Sequence, residues 1–271
     1  MSTLVADDGV RLDLTDHGDP AGRPVVLLAG FTAPATSWRY QVGPLVAAGY
    51  RVLAVDLRGH GRADRPAQVD MDRRGRDVGV VLDALDLHGA VLVGASMGAS
   101  TVWSHVAQTG APRAAAVVSV DQTPRMLNGA GWPHGFYGYD ATTADTLFAE
   151  RIPDTGHGTP LLRRGLRLVR LLRAMRGAGT ALSPGELALL DDHARRDWRP
   201  VVAATSLPVL FVAGAASEFW PASHAAAAAD LAARGESVVL PRDGHAANIE
   251  QPRAFNRALL AFLARTAPAA G

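Results

Sequence analysis

The sequence predicts an α/β protein with a mostly parallel central sheet flanked by helices. Three observations carry the prediction: short apolar runs of strand length, helix-like stretches between successive runs, and glycine-bearing turns where a run gives way to a helix. In chain order, residues 11–15 alternate like a half-buried strand, while Val25-Val26-Leu27-Leu28 and Val52-Leu53-Ala54-Val55 read as buried strands. Helical patterns over 38–48 and 78–87 separate the next runs, a strand at 90–93 leads into a helix over 99–109, and a strand follows at 115–120. A ligand site in such a sheet is expected at the carboxyl ends of the strands.

The alternation stops after Asp121. Residues 122 to about 200 hold an aromatic and glycine-rich stretch, Trp132-Pro133-His134-Gly135-Phe136-Tyr137-Gly138-Tyr139, and then helical segments with no strand between them. Strands resume at 209–212 and 237–240, and a helix closes the chain over 252–265. The domain reading is a core made of 1–121 and 200–271, with a helical lid, 122–199, inserted after the sixth strand. The run Ala225 to Ala229 needs no explanation beyond helix propensity.

Composition narrows the function. The 271 residues carry a net charge of +1 built from arginine alone, with no lysine, so no overall field attracts nucleic acid or an anionic membrane. With no cysteine, thiolate catalysis, disulfides and cysteine-based metal sites are excluded. No apolar run approaches the length of a membrane span and no signal-peptide pattern stands at the N-terminus, so a soluble, cytoplasmic protein without stable membrane insertion is expected. One segment is unusual: 161–176 sets six arginines beside Leu161, Leu162, Leu166, Val169, Leu172 and Met175. Such a basic amphipathic helix suits a membrane surface, but the expectation here is a lid helix that buries its leucines and solvates its arginines, with Glu186, Asp191, Asp192 and Asp197 close behind to neutralise them.

The chemistry is concentrated in Gly94-Ala95-Ser96-Met97-Gly98, at a strand-to-helix junction. A Cβ at either glycine would collide with the adjoining strand or helix, and the tight turn lifts the serine hydroxyl above the sheet edge. The helix that follows directs its N-terminal N–H groups at any anion formed there. A serine hydroxyl needs a base, and the base needs an acid to orient it. Of nine histidines, His245 in Asp243-Gly244-His245 follows the last strand and precedes the last helix, on the same sheet edge as Ser96. His60, in a post-strand turn, reads as structural, and His134 and His157 read as lid-surface residues.

Together with Leu28-Ala29-Gly30-Phe31 and Asp56-Leu57-Arg58-Gly59-His60-Gly61, these motifs resemble the α/β-hydrolase-fold serine hydrolases over nearly the whole chain. The resemblance implies the order nucleophile, acid, histidine, and an oxyanion hole from the backbone N–H groups of Met97 and Phe31. Two departures stand out. Ala29 replaces the histidine that many members carry before the glycine. In the Gly-x-x-Asp turn that commonly supplies the acid, this chain reads Gly214-Ala215-Ala216-Ser217. The fold offers a second acid position at the end of the strand after the elbow helix, and Asp121 stands there; Glu218, one residue past the usual place, is the competing candidate.

The expected pocket is walled by Phe31, Trp38, the lid aromatics Trp132, Phe136, Tyr137 and Tyr139, and Phe219-Trp220, with Trp132, Tyr137 and Trp220 singled out for substrate contact. That wall suits an apolar small molecule. The expected activity is cleavage of a carboxylic ester, lactone or thioester by Ser96, His245 and Asp121, without cofactor or metal, since no phosphate-binding loop, zinc motif or ligand cluster occurs. Two other classes on the same fold remain open: a cofactor-free haloperoxidase or perhydrolase, and a lidded small-molecule-binding protein with little turnover. The oligomeric state is not readable, and a homodimer is compatible with everything above.

Overall fold

The apolar runs assemble side by side into one sheet. The computed structural model describes residues 2–176 and 182–269, so residues 177–181 of the expected lid lie outside the described residues. Eight strands, β1 (Ser2–Val5), β2 (Arg11–His17), β3 (Pro24–Leu28), β4 (Arg51–Asp56), β5 (Ala90–Ala95), β6 (Ala114–Val120), β7 (Val209–Gly214) and β8 (Gly235–Leu240), are ordered β1-β2-β4-β3-β5-β6-β7-β8. β1 and β2 run antiparallel to their neighbours and the remaining pairs are parallel. β3 and β7 are buried throughout, which explains their unbroken apolar sequences, whereas β2, near the edge, keeps its alternation. Short, exposed β1 lacks an apolar signature and has no counterpart in the sequence reading.

Helices cover both faces. α1 (Arg39–Ala47) and α9 (Pro252–Thr266) bury Trp38, Leu45, Phe255, Leu259 and Phe262 against one face. α2 (Met71–Ala84) and α3 (Met97–Thr109) bury Met71, Val78, Val81, Val102 and Trp103 against the other. α2 begins well before the expected position because the Asp70 side chain caps it, accepting the Arg73 N–H at 2.6 Å, and because Asp77 on its buried face pairs with Arg58 at 2.6 Å. Gly110, in the left-handed region at φ 68°, ends α3.

Between β6 and β7 the described residues contain no strand of the sheet. Residues 122–160 are turns packed by aromatic rings; then come a 3-10 turn (Leu161–Arg163), α4 (Leu166–Ala174), α5 (Pro184–Arg195) and α6 (Arg199–Ala204). α5 opens on a capping box between Ser183 and Glu186. β7 is followed by α7 (Ser223–Ala229), β8 and the short α8 (Ala247–Glu250).

The orientation of α4 reverses the expectation. Arg164, Arg167 and Arg170 turn inward, to Glu218, to Glu250 and to the Glu250 carbonyl, while Leu162 and Leu166 are 96% and 73% exposed. The half-buried carboxylate of Glu218, after β7, and the buried one of Glu250, in α8, draw in the guanidinium groups, and Leu161, Leu162, Leu166 and Leu172 are left outside.

The β5–α3 turn leaves no room for a side chain at either of its glycines. A Cβ at Gly94 would sit 2.4 Å from the Gly98 carbonyl, and one at Gly98 would sit 2.3 Å from the Leu28 carbonyl, both backbone atoms with no freedom to move. Gly94→Ala is therefore expected to destabilise the fold by about 3 kcal/mol, at the upper end for overpacking. Urea unfolding measures this, and a loss below about 0.5 kcal/mol, the range of an ordinary surface change, would show that the turn can relax.

Candidate active site

Ser96 is the hinge residue of this turn, with φ 51° and ψ −129°, a conformation in which a side-chain-bearing residue is strained. It is held there because Ser96 N donates to the Val120 carbonyl at 2.9 Å while α3 starts at the next residue. As the first residue of α3, Met97 has an N–H with no acceptor inside the helix. Gly30 lets the post-β3 loop pass close to the serine: a Cβ there would lie 3.1 Å from Ser96 Cβ. Phe31 then lines the same cavity as Ser96 and Met97.

Asp121 ends β6 at φ 44° and is fully buried. Oδ1 accepts the Gly214 N–H at 2.8 Å, and Oδ2 accepts both Ser217 Oγ at 2.6 Å and His245 Nδ1 at 2.8 Å. The serine at the usual aspartate position thus donates to the aspartate one strand away. His224, also buried, brings Nε2 to 3.6 Å from Oδ1, an electrostatic contact longer than a hydrogen bond. Burial pushes the Asp121 carboxyl up, but the imidazoles of His224 and His245 outweigh it and hold the group at about 2.

Glu218 makes a different contact. One oxygen accepts the backbone N–H of His245 at 2.7 Å and the other pairs with Arg164, which also meets Glu250 at 2.9 Å. Its carboxylate fixes the histidine loop from outside, whereas the ring nitrogen goes to Asp121. The ring is packed on its other sides by Phe219 and Trp220, at centroid distances of 4.4 and 5.3 Å.

The cavity at Ser96 is narrow, about 20 Å³, and is walled by Phe31, Met97, Phe136, Phe148, Ile152 and Phe219, among others. Phe136 and Phe148, from the segment after β6, join this wall through ring contacts with Phe219 at 5.4 Å and with each other at 4.9 Å. Of the residues expected to touch substrate, Trp220 lies on the wall. Trp132 and Tyr137 do not: Trp132 is buried elsewhere, its indole N–H donating to the Arg125 carbonyl at 3.0 Å, and Tyr137 stacks on His157. A larger cleft of about 560 Å³, lined by Asp13, Arg39 and Asp56 among others, contains neither Ser96 nor His245.

Two residues escape the sequence reading. His193, buried on α5, is with Ser96 one of the two polar side chains on the wall apart from the Trp220 indole, and its Nδ1 has no partner. Burial, aided by Arg74, pushes its imidazole down to about 3, so it is neutral. The signal was its spacing, since Leu189, Leu190, His193 and Ala194 share the buried face of α5. For His224, beside a run of alanines, the sequence offers no comparable signal. Among the described residues no cluster of side chains suits a metal ion, and no helix is long and apolar enough to cross a membrane.

Comparison with known proteins places this arrangement. Residues 25–258 match the model of the alpha/beta hydrolase family, and the chain belongs to that family. It has the α/β-hydrolase fold, with the mostly parallel eight-stranded sheet described above. It is 39% identical over 128 residues to a non-heme chloroperoxidase of Streptomyces lividans, covering 47% of this chain and 46% of that protein. It is 44% identical over 128 residues to epoxide hydrolase A of Mycobacterium tuberculosis, covering 45% of this chain and 39% of that protein. The chain thus spans less than half the length of either relative. Among solved structures, a bromoperoxidase from Bacillus anthracis superposes with a TM-score of 0.78 at 26% identity, over 97% of this chain and 99% of that one.

One group beside the site ties its loop to pH. Asp243, two residues before His245, is buried and neither oxygen has a hydrogen bond of full geometry. Burial, with Glu250 nearby, pushes its carboxyl up to about 8, and Gln251 and Arg167 oppose this only in part. A folded-state value above the unfolded one means that the native state holds the extra proton. The stability it contributes is present below about 4, the unfolded value, and is lost as pH rises through about 8. Asp243→Asn, neutral at every pH, is expected to leave stability at pH 4 nearly unchanged and to raise it at pH 9 by about 2 kcal/mol or more. Urea unfolding at both pH values checks this; an equal effect at the two would rule out a buried, titrating carboxyl.

Proposed function

We propose that this protein is a serine hydrolase that cleaves a carboxylic ester, lactone or thioester of an apolar small molecule through Ser96, His245 and Asp121. The observation that carries the reading is the fully buried Asp121 carboxylate 2.8 Å from His245 Nδ1, on the same sheet edge as a serine in a strained elbow. With Asp121 ionised, Nδ1 carries the proton and Nε2 is the free base. Ser96 Oγ attacks the carbonyl carbon as Nε2 takes its proton, and the N–H groups of Met97 and Phe31 receive the oxyanion. The imidazolium then protonates the leaving alcohol or thiol, and water, activated by the same histidine, releases the acid. The apolar wall favours an acyl or ring-bearing body, and neutral His193 supplies one hydrogen bond to a polar atom of it. In this reading, residues 122–199 are a cap over a core formed by 1–121 and 200–271.

A second reading, favoured by the similarity to chloroperoxidases and to a bromoperoxidase, uses the same acyl-enzyme. Hydrogen peroxide in place of water would attack it and leave as a peracid, which oxidises halide. Bromination of a dye that requires both acetate and peroxide would favour this reading over simple ester hydrolysis.

The triad is tested by substitution. Ser96→Ala is expected to abolish hydrolysis of p-nitrophenyl esters and labelling by a fluorophosphonate probe, with circular dichroism unchanged. Asp121→Asn nearly preserves shape and should lower kcat by roughly 10⁴, as for the equivalent change in the protease triad. Glu218→Gln should cost less than about tenfold, because that side chain meets the histidine backbone and not the ring. An active Asp121→Asn beside a dead Glu218→Gln would assign the acid to Glu218.

His193→Phe fills the same space without the ring nitrogens. It is expected to raise KM by about tenfold for substrates with a hydrogen-bonding oxygen in the acyl part, and to leave plain alkanoyl esters within about twofold, since one neutral hydrogen bond is worth roughly 1 kcal/mol. An equal effect on both substrate classes would make His193 a packing residue only.

A further inference from the structure

The described surface exposes seven large apolar side chains, and five of them, Leu161, Leu162, Leu166, Val169 and Leu172, lie in or just before α4. Each forgoes about 1.5–3 kcal/mol of burial, and such a concentration on one element marks a contact surface. At 100° per residue Leu166, Val169 and Arg173 fall on one face of α4, Leu161 and Leu162 are exposed in the turn before it, and Arg163 and Arg173 are exposed as well. Neither forms an ion pair among the described residues, and 161–176 contains no acid. The segment is anchored beside this stripe, Arg164 to Glu218 and Glu250, Arg167 to Glu250 at 3.4 Å and Arg170 to the Glu250 carbonyl at 2.8 Å, while Leu168, Leu171 and Ala174 turn toward the protein. The apolar stripe is therefore held outward by buried charge and is not the loose side of a frayed helix.

From this we infer that α4 docks the protein on an anionic lipid surface, with the leucines entering the headgroup–acyl boundary and Arg163 and Arg173 meeting lipid phosphates. Charge decides the partner. In a two-fold contact between copies, the stripe would meet its own image and bring unpaired arginines against arginines, which costs energy. An anionic bilayer supplies both the apolar depth and the opposite charge, worth about 1 kcal/mol for each arginine near the surface. With nine residues α4 is about 14 Å long, enough to lie in the interface plane and too short to span it. Docking is thus peripheral, and it stands independently of the hydrolase reading because its test reads binding alone.

The experiment is co-sedimentation of the full chain with vesicles of phosphatidylcholine, with or without about one third phosphatidylglycerol. Wild type is expected to bind the anionic vesicles at least about tenfold more tightly than the neutral ones, with affinity falling as salt rises. Leu162→Ser/Leu166→Ser should weaken that binding by about tenfold or more, and Arg163→Gln/Arg173→Gln should remove most of the preference for anionic lipid. Circular dichroism and the urea unfolding midpoint should be unchanged in both variants, which verifies their folding. The inference is overturned if wild type binds neither vesicle or both equally, or if the leucine variant binds as wild type does. A concentration-dependent dimer in analytical ultracentrifugation that dissociates in the leucine variant, without vesicle binding, would assign the face to a second copy and equally overturn it.

Discussion

The buried carboxylate of Asp121 organises the sheet edge around it. Four separate stretches of chain meet there: the end of β6, the end of β7 through the Gly214 N–H, the following turn through Ser217, and the loop after β8 through His245. A fully buried charge is tolerated only when its lone pairs are met by donors, and here they are. The consequence is positional. Losing any one donor would leave charge uncompensated, so the imidazole is fixed in direction by the same bonds that keep the carboxylate ionised.

This arrangement also explains how the chain dispenses with an aspartate in the turn after β7. Adjacent strand ends converge closely enough that a carboxylate on β6 reaches the loop usually served from β7, and a hydroxyl on β7 completes its coordination. The approach is close because Gly214 allows it: a Cβ there would lie 2.2 Å from the Gly244 carbonyl. Glu218, freed from the ring, braces the histidine loop by its backbone and links it to Arg164 and so to α4. The segment leading into the surface helix and the histidine are consequently two bonds apart, both made by a single glutamate.

What was legible in the sequence divides along physical lines. Elements whose residues answer to local rules were readable: the buried strands, the elbow with its two obligatory glycines, the helix over 252–265, and the pairing of Asp121 with the histidine loop on one sheet edge. Features set by tertiary partners were not. The face that α4 presents depends on Glu218 and Glu250, 54 and 86 residues away from Arg164, and an amphipathic pattern carries no sign for which face goes in. Trp132 and Tyr137 were assigned to the cavity by composition, but aromatic content does not specify direction, and each found a closer partner in a backbone carbonyl or in His157. β1 and the start of α2 were missed because one is four residues long with only Leu4 and Val5 apolar, and the other begins at a cap.

The narrow cavity at Ser96 bears on how these parts act together. About 20 Å³ holds little more than one water, so the acyl substrate proposed above fits beside the serine only if part of the wall moves. The wall contributed by the core, Phe31, Met97, Phe219 and Trp220, is attached to strand ends and the elbow. Phe136, Phe148, Ile152, Leu190 and His193 come from the segment between β6 and β7: residues 136–152 meet the core mainly through ring contacts, whereas α5 is tied to it by polar bonds such as Arg196 to Asp72 at 3.0 Å and the Met71 N–H to Asp192 at 2.8 Å. Aromatic contacts separate and re-form with little directional penalty, whereas the hydrogen-bonded carboxylate below them does not. On the proposed reading, the ring contacts of residues 136–152 are where the wall gives way, while the bonds of Asp121 keep His245 in place, so that substrate entry leaves the base oriented.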